Sequence, residues 1–236
     1  MKTIFHPSNE RGHVNHGWLN AKHSFSFASY HDPNKVHFGM LRVLNDDIVA
    51  PGSGFGMHPH DNMEIVTIPL KGTLEHRDSM GNIGTIQPNE IQAMSAGSGL
   101  MHSEYNHSKT EEINLLQIWV FPKVRNIEPR YEQKIFSESD KLDHFKTIVA
   151  PVKDENIMWI NQDAYFSLGK FTKDQNVEYK MQHKGNGVYI FIIEGEASLG
   201  TQKLEKRDAM GVWETDTVNL NIKQGAEVLI IEVPMN

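Results

Sequence analysis

The chain has 236 residues, with 23 Lys and Arg against 30 Asp and Glu, a net charge of −7 and no cysteine. The lack of cysteine excludes disulfides, iron–sulfur clusters and thiolate zinc sites, and the lack of a basic tract argues against direct nucleic-acid binding. No apolar run approaches the roughly 20 residues of a membrane-spanning helix, and the first residues lack the apolar core of a signal peptide. We therefore expect a soluble, cytoplasmic protein with no membrane partner.

The apolar segments are short, rich in β-branched and aromatic residues, and separated by turn sequences, which is typical of β-strands. In chain order, the clearest of these segments are 38–44, 63–72, 113–121, 188–195 and 227–234. No long stretch has the 3.6-residue periodicity of an amphipathic helix. Residues 137–147 could form only a short helix or a linker, so the sequence predicts an all-β protein.

A faint internal repeat indicates two similar parts. "IVTIPLKGTLEH" (65–76) and "YIFIIEGEASLG" (189–200) each end one apolar segment at a glycine and begin another. Two tandem β-barrels would produce this pattern. We expect an N-terminal domain over 1–130 and a C-terminal domain over 131–236.

The histidines are concentrated in the first half of the chain. Twelve of the thirteen lie at or before His144. Within "HPHDNMEI", residues two apart on a strand share one face, so we expect His58, His60, Asn62 and Glu64 to point the same way. Taken alone this pair is weak evidence, because a chain with this many histidines contains about one such pair by chance.

A second pair strengthens the case for a metal site. His102 and Glu104, in "SAGSGLMHSEYN", are also two residues apart and follow two glycines. Three imidazoles and one carboxylate suit a divalent first-row metal that keeps open positions for substrate or oxygen. The alternative is that these histidines lie on the surface or in loops and bind nothing.

Both segments resemble the paired motifs of the cupin fold. The first is His58-x-His60-x-x-x-Glu64, with Gly72 beyond it. The second is Gly97-x-Gly99-x-x-His102-x-x-x-Asn106, with glycine at 97 where cupins usually carry proline. More narrowly, residues 11–33, 58–82 and 95–106 resemble the signatures of the pirin family, and within it bacterial pirin-like proteins with quercetin 2,3-dioxygenase activity.

The resemblance to pirins implies a bicupin fold with one metal, in the N-terminal domain. It implies that the ligands are His58, His60, His102 and Glu104, whereas the general cupin motif would use Glu64 as the carboxylate ligand. We follow the pirin pattern, which leaves Glu64 near the site. In the second half, Met181-Gln182-His183 aligns with the first histidine pair and keeps one histidine, so we expect no metal there.

The implied activity is a metal-dependent dioxygenase that opens the ring of flavonols such as quercetin with molecular oxygen. Glu104 would then be both a ligand and the general base. Iron is the metal expected first, and nickel, cobalt, manganese, copper and zinc also suit these ligands. The alternative is a non-catalytic, metal-dependent regulator that acts by binding another protein. We expect a monomer, because one chain already supplies both barrels.

The remaining imidazole and aromatic side chains are expected to be mainly structural. His16 and His23 would be hydrogen-bonded at the mouth of the first barrel, with a pocket role as the alternative, and Phe25 and Phe27 would pack in the core. Asp61 stands where many pirins carry a basic residue, which affects the charge at the pocket mouth. Trp119, Trp159 and Trp213 are expected in the core. His76 is expected beside a turn, and His107 at the surface.

Overall fold

The computed structural model describes residues 1–236. Two short 3-10 helices, Ser8–Glu10 and Ser139–Lys141, accompany the β-strands. The strands of the first half are β1 (Lys2–His6), β2 (Gly12–Asn15), β3 (Leu19–His23), β4 (Leu41–Val49), β5 (Gly54–His60), β6 (Glu64–Lys71), β7 (Leu74–Asp78), β8 (Ile83–Ile86), β9 (Glu90–Ser95), β10 (Leu100–Asn106), β11 (Ile113–Val120) and β12 (Arg130–Ile135). The strands of the second half are β13 (Lys146–Ala150), β14 (Met158–Trp159), β15 (Tyr165–Lys170), β16 (Gln175–Lys180), β17 (Asn186–Glu194), β18 (Ala197–Leu199), β19 (Gln202–Leu204), β20 (Ala209–Trp213), β21 (Thr217–Ile222) and β22 (Glu227–Pro234).

The N-terminal domain consists of two facing sheets. The larger has seven strands in the order β12-β9-β6-β11-β4-β3-β2, and the smaller has four in the order β5-β10-β7-β8. The all-β prediction is confirmed. The two sheets form a β-sandwich of the cupin type and do not close into one continuous barrel, because no hydrogen-bonded ladder joins them.

The C-terminal domain repeats this strand order, although its edge pair β13 and β14 is parallel whereas β2 and β3 are antiparallel. Its larger sheet runs β1-β20-β17-β22-β15-β13-β14 and its smaller one β16-β21-β18-β19. Each strand has a counterpart at the same place in the first domain: β17 corresponds to β6, β22 to β11, β16 to β5 and β21 to β10. The tandem repeat predicted from the sequence is therefore present in the order of the strands.

The two domains exchange an edge strand. β1, from the N-terminus, pairs antiparallel with β20 of the C-terminal domain. β12 pairs with β9 of the N-terminal domain and occupies the place there that β1 occupies in the other sheet. Relative to the predicted division at residues 130 and 131, β1 and most of β12 therefore pair with strands of the opposite domain, and that division stays a prediction. Between the halves, 137–147 contains only a 3-10 helix and the start of β13.

The two seven-stranded sheets pack against each other through a shared apolar core. It contains 26 buried residues, with Val66 and Ile118 from one domain and Phe166 and Tyr189 from the other. Since side chains alternate along a strand, the residues next to Val66 on β6 and next to Ile118 on β11 point into the first domain's own interior. No helix of the chain is long and apolar enough to cross a membrane.

Candidate metal centre

The predicted ligand strands β5 and β10 are antiparallel neighbours in the four-stranded sheet. His102 is the direct cross-strand partner of His58. The His102 ring centroid is 4.5 Å from that of His58 and 4.8 Å from that of His60. One ligand nitrogen from each of the three rings lies within 4.8 Å of the others. The sheet therefore brings together three imidazoles from segments about forty residues apart.

The chemistry of these rings fits a divalent metal. His102 is buried, and neither of its ring nitrogens has a hydrogen-bond partner, which is rare for a buried polar group. Burial, followed by the neighbouring imidazoles, lowers the pKa of His102 to about 3 and that of His60 to about 4. Nδ1 of His58 donates to the Gly56 carbonyl oxygen at 2.7 Å, which leaves its Nε2 lone pair free. Neutral imidazoles with free lone pairs are metal ligands.

Glu104 shares a cluster with His102 and His76, not with His58 and His60, and lies in a polar cradle. Nε2 of Gln92 donates to its Oε1 at 3.0 Å, and Nε2 of Gln117 donates to its Oε2 at 2.7 Å. Thr67 donates its hydroxyl to Oε1 of Gln117 at 2.8 Å, which fixes that amide. Both carboxylate oxygens of Glu104 thus accept hydrogen bonds, which orient the group.

His76, expected from the sequence to have a structural position beside a turn, belongs to this cluster. It is buried on β7, and its ligand atom lies within 4.8 Å of those of His102 and Glu104. Its Nε2 is 3.4 Å from Asp78, its ring stacks on Tyr131, and its Nδ1 has no partner. His76 is the cross-strand partner of Glu104, and this register could not be read from the sequence.

The expectation that Glu64 shares a face with His58 and His60 is wrong. β5 ends at His60, Asn62 adopts a left-handed conformation with φ 46°, and Glu64 begins the next strand. The side chain of Glu64 points to the opposite side of the large sheet, towards the domain interface. There its Oε2 accepts from the Ser95 hydroxyl at 2.7 Å and from the Asn161 backbone at 3.1 Å.

A cavity of about 220 Å³ adjoins the imidazoles. His23 lies in its wall, and its Nδ1 is hydrogen-bonded to Asn45 at 2.8 Å. Both expectations for His23, a hydrogen-bonded ring and a place in the pocket, therefore hold. Phe25 is buried in the core as expected, whereas Phe27 and Trp119 line the cavity. The apolar lining consists of Leu19, Ala21, Phe27, Phe55 and Trp119, and the polar lining other than the histidines consists of Asn45, Asp47, Glu104 and Gln117.

A second, open cleft of about 750 Å³ lies on the other side of His60 and Trp119. Asp61, Met63 and Met101 also line it, so Asp61 does lie at a mouth of the site. The Trp119 ring packs edge-on against His60 at 4.9 Å, and its buried Nε1 has no hydrogen-bond partner. Both openings therefore share one wall, made of an imidazole and an indole.

The other residues named from the sequence lie away from the cavity. His16 and His107 are exposed, and His107 is 3.3 Å from Glu75. Met181 and His183 follow the end of β16 and occupy the turn before β17, not a strand face. The C-terminal strands that correspond to β5 and β10 carry apolar side chains that pack together, such as Val177, Val218 and Leu220.

Trp159 and Trp213 lie outside the metal centre. Trp159 is half-buried and stacks under the Arg130 guanidinium at 4.7 Å. Trp213 packs against the shared core, in line with the expectation for it. Neither ring lines the cavity beside the histidines.

Comparison with known proteins agrees with this architecture. A family model described as Pirin matches residues 4–120, and one described as the quercetinase C-terminal cupin domain matches 147–233. A quercetin 2,3-dioxygenase of Escherichia coli K12 is 40% identical over 227 residues, which cover 96% of each chain.

Two solved structures are similar over nearly the whole chain. The crystal structure of YhhW from Escherichia coli has a TM-score of 0.94 at 38% identity and covers 99% of this chain and 98% of that one. The bacterial pirin YhhW in complex with nickel(II) has a TM-score of 0.93 at 38% identity and covers 99% of each. At this identity and coverage, the chain belongs to the pirin family.

Proposed function

We propose that this pirin is a metal-dependent dioxygenase that opens the ring of flavonols such as quercetin. The observation that carries the proposal is the convergence of three imidazoles, each with a ring nitrogen free to bind a metal, beside a cavity with aromatic walls. The name of the Escherichia coli relative and the nickel complex of YhhW support the reaction class and the kind of metal.

In this proposal His58, His60 and His102 hold one divalent ion, with Glu104 as the fourth ligand. When bound, such an ion acts as a Lewis acid that lowers the pKa of a coordinated flavonol hydroxyl. The buried, partnerless nitrogens of His102 fit this role, because a buried polar atom is rarely left without an interaction. Iron remains the metal proposed first.

Glu104 is proposed to accept the proton of that hydroxyl. Gln92 and Gln117 hold its two oxygens in a fixed orientation, so the carboxylate has no need to reorganise when the substrate arrives.

The walls of the cavity suit a flat aromatic substrate. Phe27 and Trp119 pack edge-to-face at 5.2 Å, and Phe55 adds a further apolar surface. The cavity alone is smaller than the roughly 300–1,000 Å³ typical of small-molecule sites. The open cleft beyond Trp119 therefore has to receive the part of a flavonol that the cavity does not enclose.

The test is aerobic consumption of quercetin by protein loaded separately with iron, nickel, cobalt, manganese, copper and zinc. We expect turnover with at least one metal and its loss in His102→Ala. If no metal supports turnover, the dioxygenase proposal is wrong, and a metal-dependent regulator that acts through a protein partner becomes the better account.

A further inference from the structure

Asp47 is a buried carboxyl that the proposed reaction does not use. On β4, Asn45 and Asp47 point into the first domain, and Asp47 lines the same cavity as His58 and Glu104. Asp46, between them, points the opposite way and lies 3.2 Å from the Arg207 guanidinium. Two adjacent aspartates thus have opposite environments, because the strand alternates its faces.

The two aspartates differ in how they are satisfied. Asp46 interacts with Arg11, Arg207 and the Asn114 amide. Asp47 is 4% exposed, makes no side-chain hydrogen bond, and has a buried Oδ1 without a partner. Folding leaves a carboxyl in this condition only at a cost, which points to a role with a ligand.

The protonation state of Asp47 allows either direction of hydrogen bonding. Burial, together with the negative charges of Asp46 and Glu104, raises the pKa of Asp47 to about 8. A protonated carboxyl can donate to an oxygen and accept from a hydroxyl, while an ionised one still accepts. A hydroxyl group satisfies Asp47 in both states.

We propose that Asp47 determines substrate specificity by hydrogen-bonding a flavonol hydroxyl other than the one bound at the metal centre. This inference rests on the proposed function. The polar groups of the cavity wall that lie apart from the predicted ligands and the amide cradle of Glu104 are Asp47, Asn45 and His23, and the last two are hydrogen-bonded to each other. The surrounding lining is apolar, so a polar substituent gains most by lying against this strip.

The experiment measures equilibrium binding under strictly anaerobic conditions, so no turnover is needed. Nickel-loaded protein is titrated with quercetin, which carries hydroxyls on its outer rings, and with 3-hydroxyflavone. The single hydroxyl of 3-hydroxyflavone is the one proposed to bind the metal. The variants are Asp47→Leu, Asp47→Ala and the hydrogen-bonding Asp47→Asn. Asp46→Asn, on the other face of the same strand, is the matched control.

We expect Asp47→Leu and Asp47→Ala to weaken quercetin binding by roughly 3- to 10-fold while leaving 3-hydroxyflavone binding unchanged. Asp47→Asn should keep most of the preference for quercetin, and Asp46→Asn should keep all of it. Asp47→Leu should also be at least as heat-stable as wild type, because it removes an unsatisfied buried group.

An unchanged ratio of the two Kd values in whichever apolar variant folds would overturn the proposal, and so would wild-type protein that binds neither flavonol. A changed ratio supports it even if no flavonol is consumed in air. Failure of the specificity assignment and failure of the dioxygenase assignment are therefore told apart.

Discussion

At the scale of single residues, the choice between two glutamates decides how the centre works. Glu104 adjoins His102 and is held by two amides, whereas Glu64 lies on the far face of the large sheet. The general cupin motif and the pirin pattern disagreed about these residues, and spacing alone could not choose between them. The choice depends on the turn at Asn62, which separates Glu64 from the strand of the histidines.

Glu104→Gln should therefore keep much of the metal, since three imidazoles remain, and lose flavonol turnover by about 10²–10⁴-fold, the usual effect of removing a general base. Glu64→Gln should leave turnover close to wild type. Metal content and quercetin consumption, measured on both variants under air, check this. The assignment is wrong if Glu64→Gln empties the site while Glu104→Gln remains active.

The amide cradle gives a second prediction at this scale. Gln117→Leu removes the 2.7 Å hydrogen bond to Glu104 without replacing any proposed ligand. Turnover should fall by about 10–100-fold, as is usual when an outer partner of a metal site is lost, while the metal content changes less. Steady-state kinetics with matched metal loading measures this, and unchanged kinetics would mean that the cradle does not orient the carboxylate.

His60 gives a third prediction. It is half-buried where the cavity meets the cleft, so His60→Ala should leave the fold intact. Metal affinity should fall by more than the about 10–100-fold expected for an outer hydrogen-bond partner. Competition with a chelator measures the affinity, and circular dichroism checks the fold. A collapsed spectrum would show that His60 is needed for the fold.

At the scale of elements, two tight turns bring β5 and β10 together. The backbone N–H of Asn62 donates to the Gly97 carbonyl at 2.9 Å, which links the end of one ligand strand to the approach of the other. Gly97 has φ 51°, and a Cβ there would lie 2.1 Å from the Ile127 carbonyl oxygen. Proline fixes φ near −65°, so it cannot replace glycine in this conformation, which explains the departure from the usual cupin motif.

Gly97→Ala should therefore lower the free energy of unfolding by more than the roughly 1 kcal/mol that a left-handed backbone alone costs. The matched control is Gly200→Ala, because Gly200 has a similar φ of 56° with no atom within 4 Å of the added Cβ. Urea denaturation of both variants measures the difference. Equal losses would mean that the contact with Ile127 is relieved without cost.

The sequence predicted the type of each element better than it predicted which elements lie next to one another. Strand type, the tandem repeat and the pairing of His58 and His60 on one face follow from periodicity, which is a local property. That His76 belongs to the site depends on the register between β7 and β10, and that Asp47 belongs to it depends on which face of β4 is enclosed. Both are set by contacts distant in sequence. The exchange of β1 and β12 is non-local for the same reason.

At the scale of the whole molecule, the domain interface contains a buried carboxyl. Burial raises the pKa of Glu64 from 4.5 to about 7, against the opposing effects of Ser95 and Asn161. Between these two pH values the folded state holds the proton that the unfolded chain has released. Stability therefore falls as pH rises through this window, by at most about 1.4 kcal/mol per pH unit for this one group.

Glu64→Gln should remove that part of the pH dependence and make the protein more stable than wild type above pH 7. The measurement is the free energy of unfolding of both proteins from pH 4.5 to pH 8. Asp47 contributes in the same direction in both proteins, so the difference between the two curves isolates Glu64. Parallel curves would mean that Glu64 is ionised throughout the window.

The asymmetry between the two domains leads to the central claim, which is one metal per chain, held by the first domain. The most direct test is metal content per chain after equilibration with nickel, for wild type, His102→Ala and His183→Ala. We predict close to one equivalent in wild type and in His183→Ala, and almost none in His102→Ala. Two equivalents of similar affinity in wild type, or full retention of nickel by His102→Ala, would contradict the account.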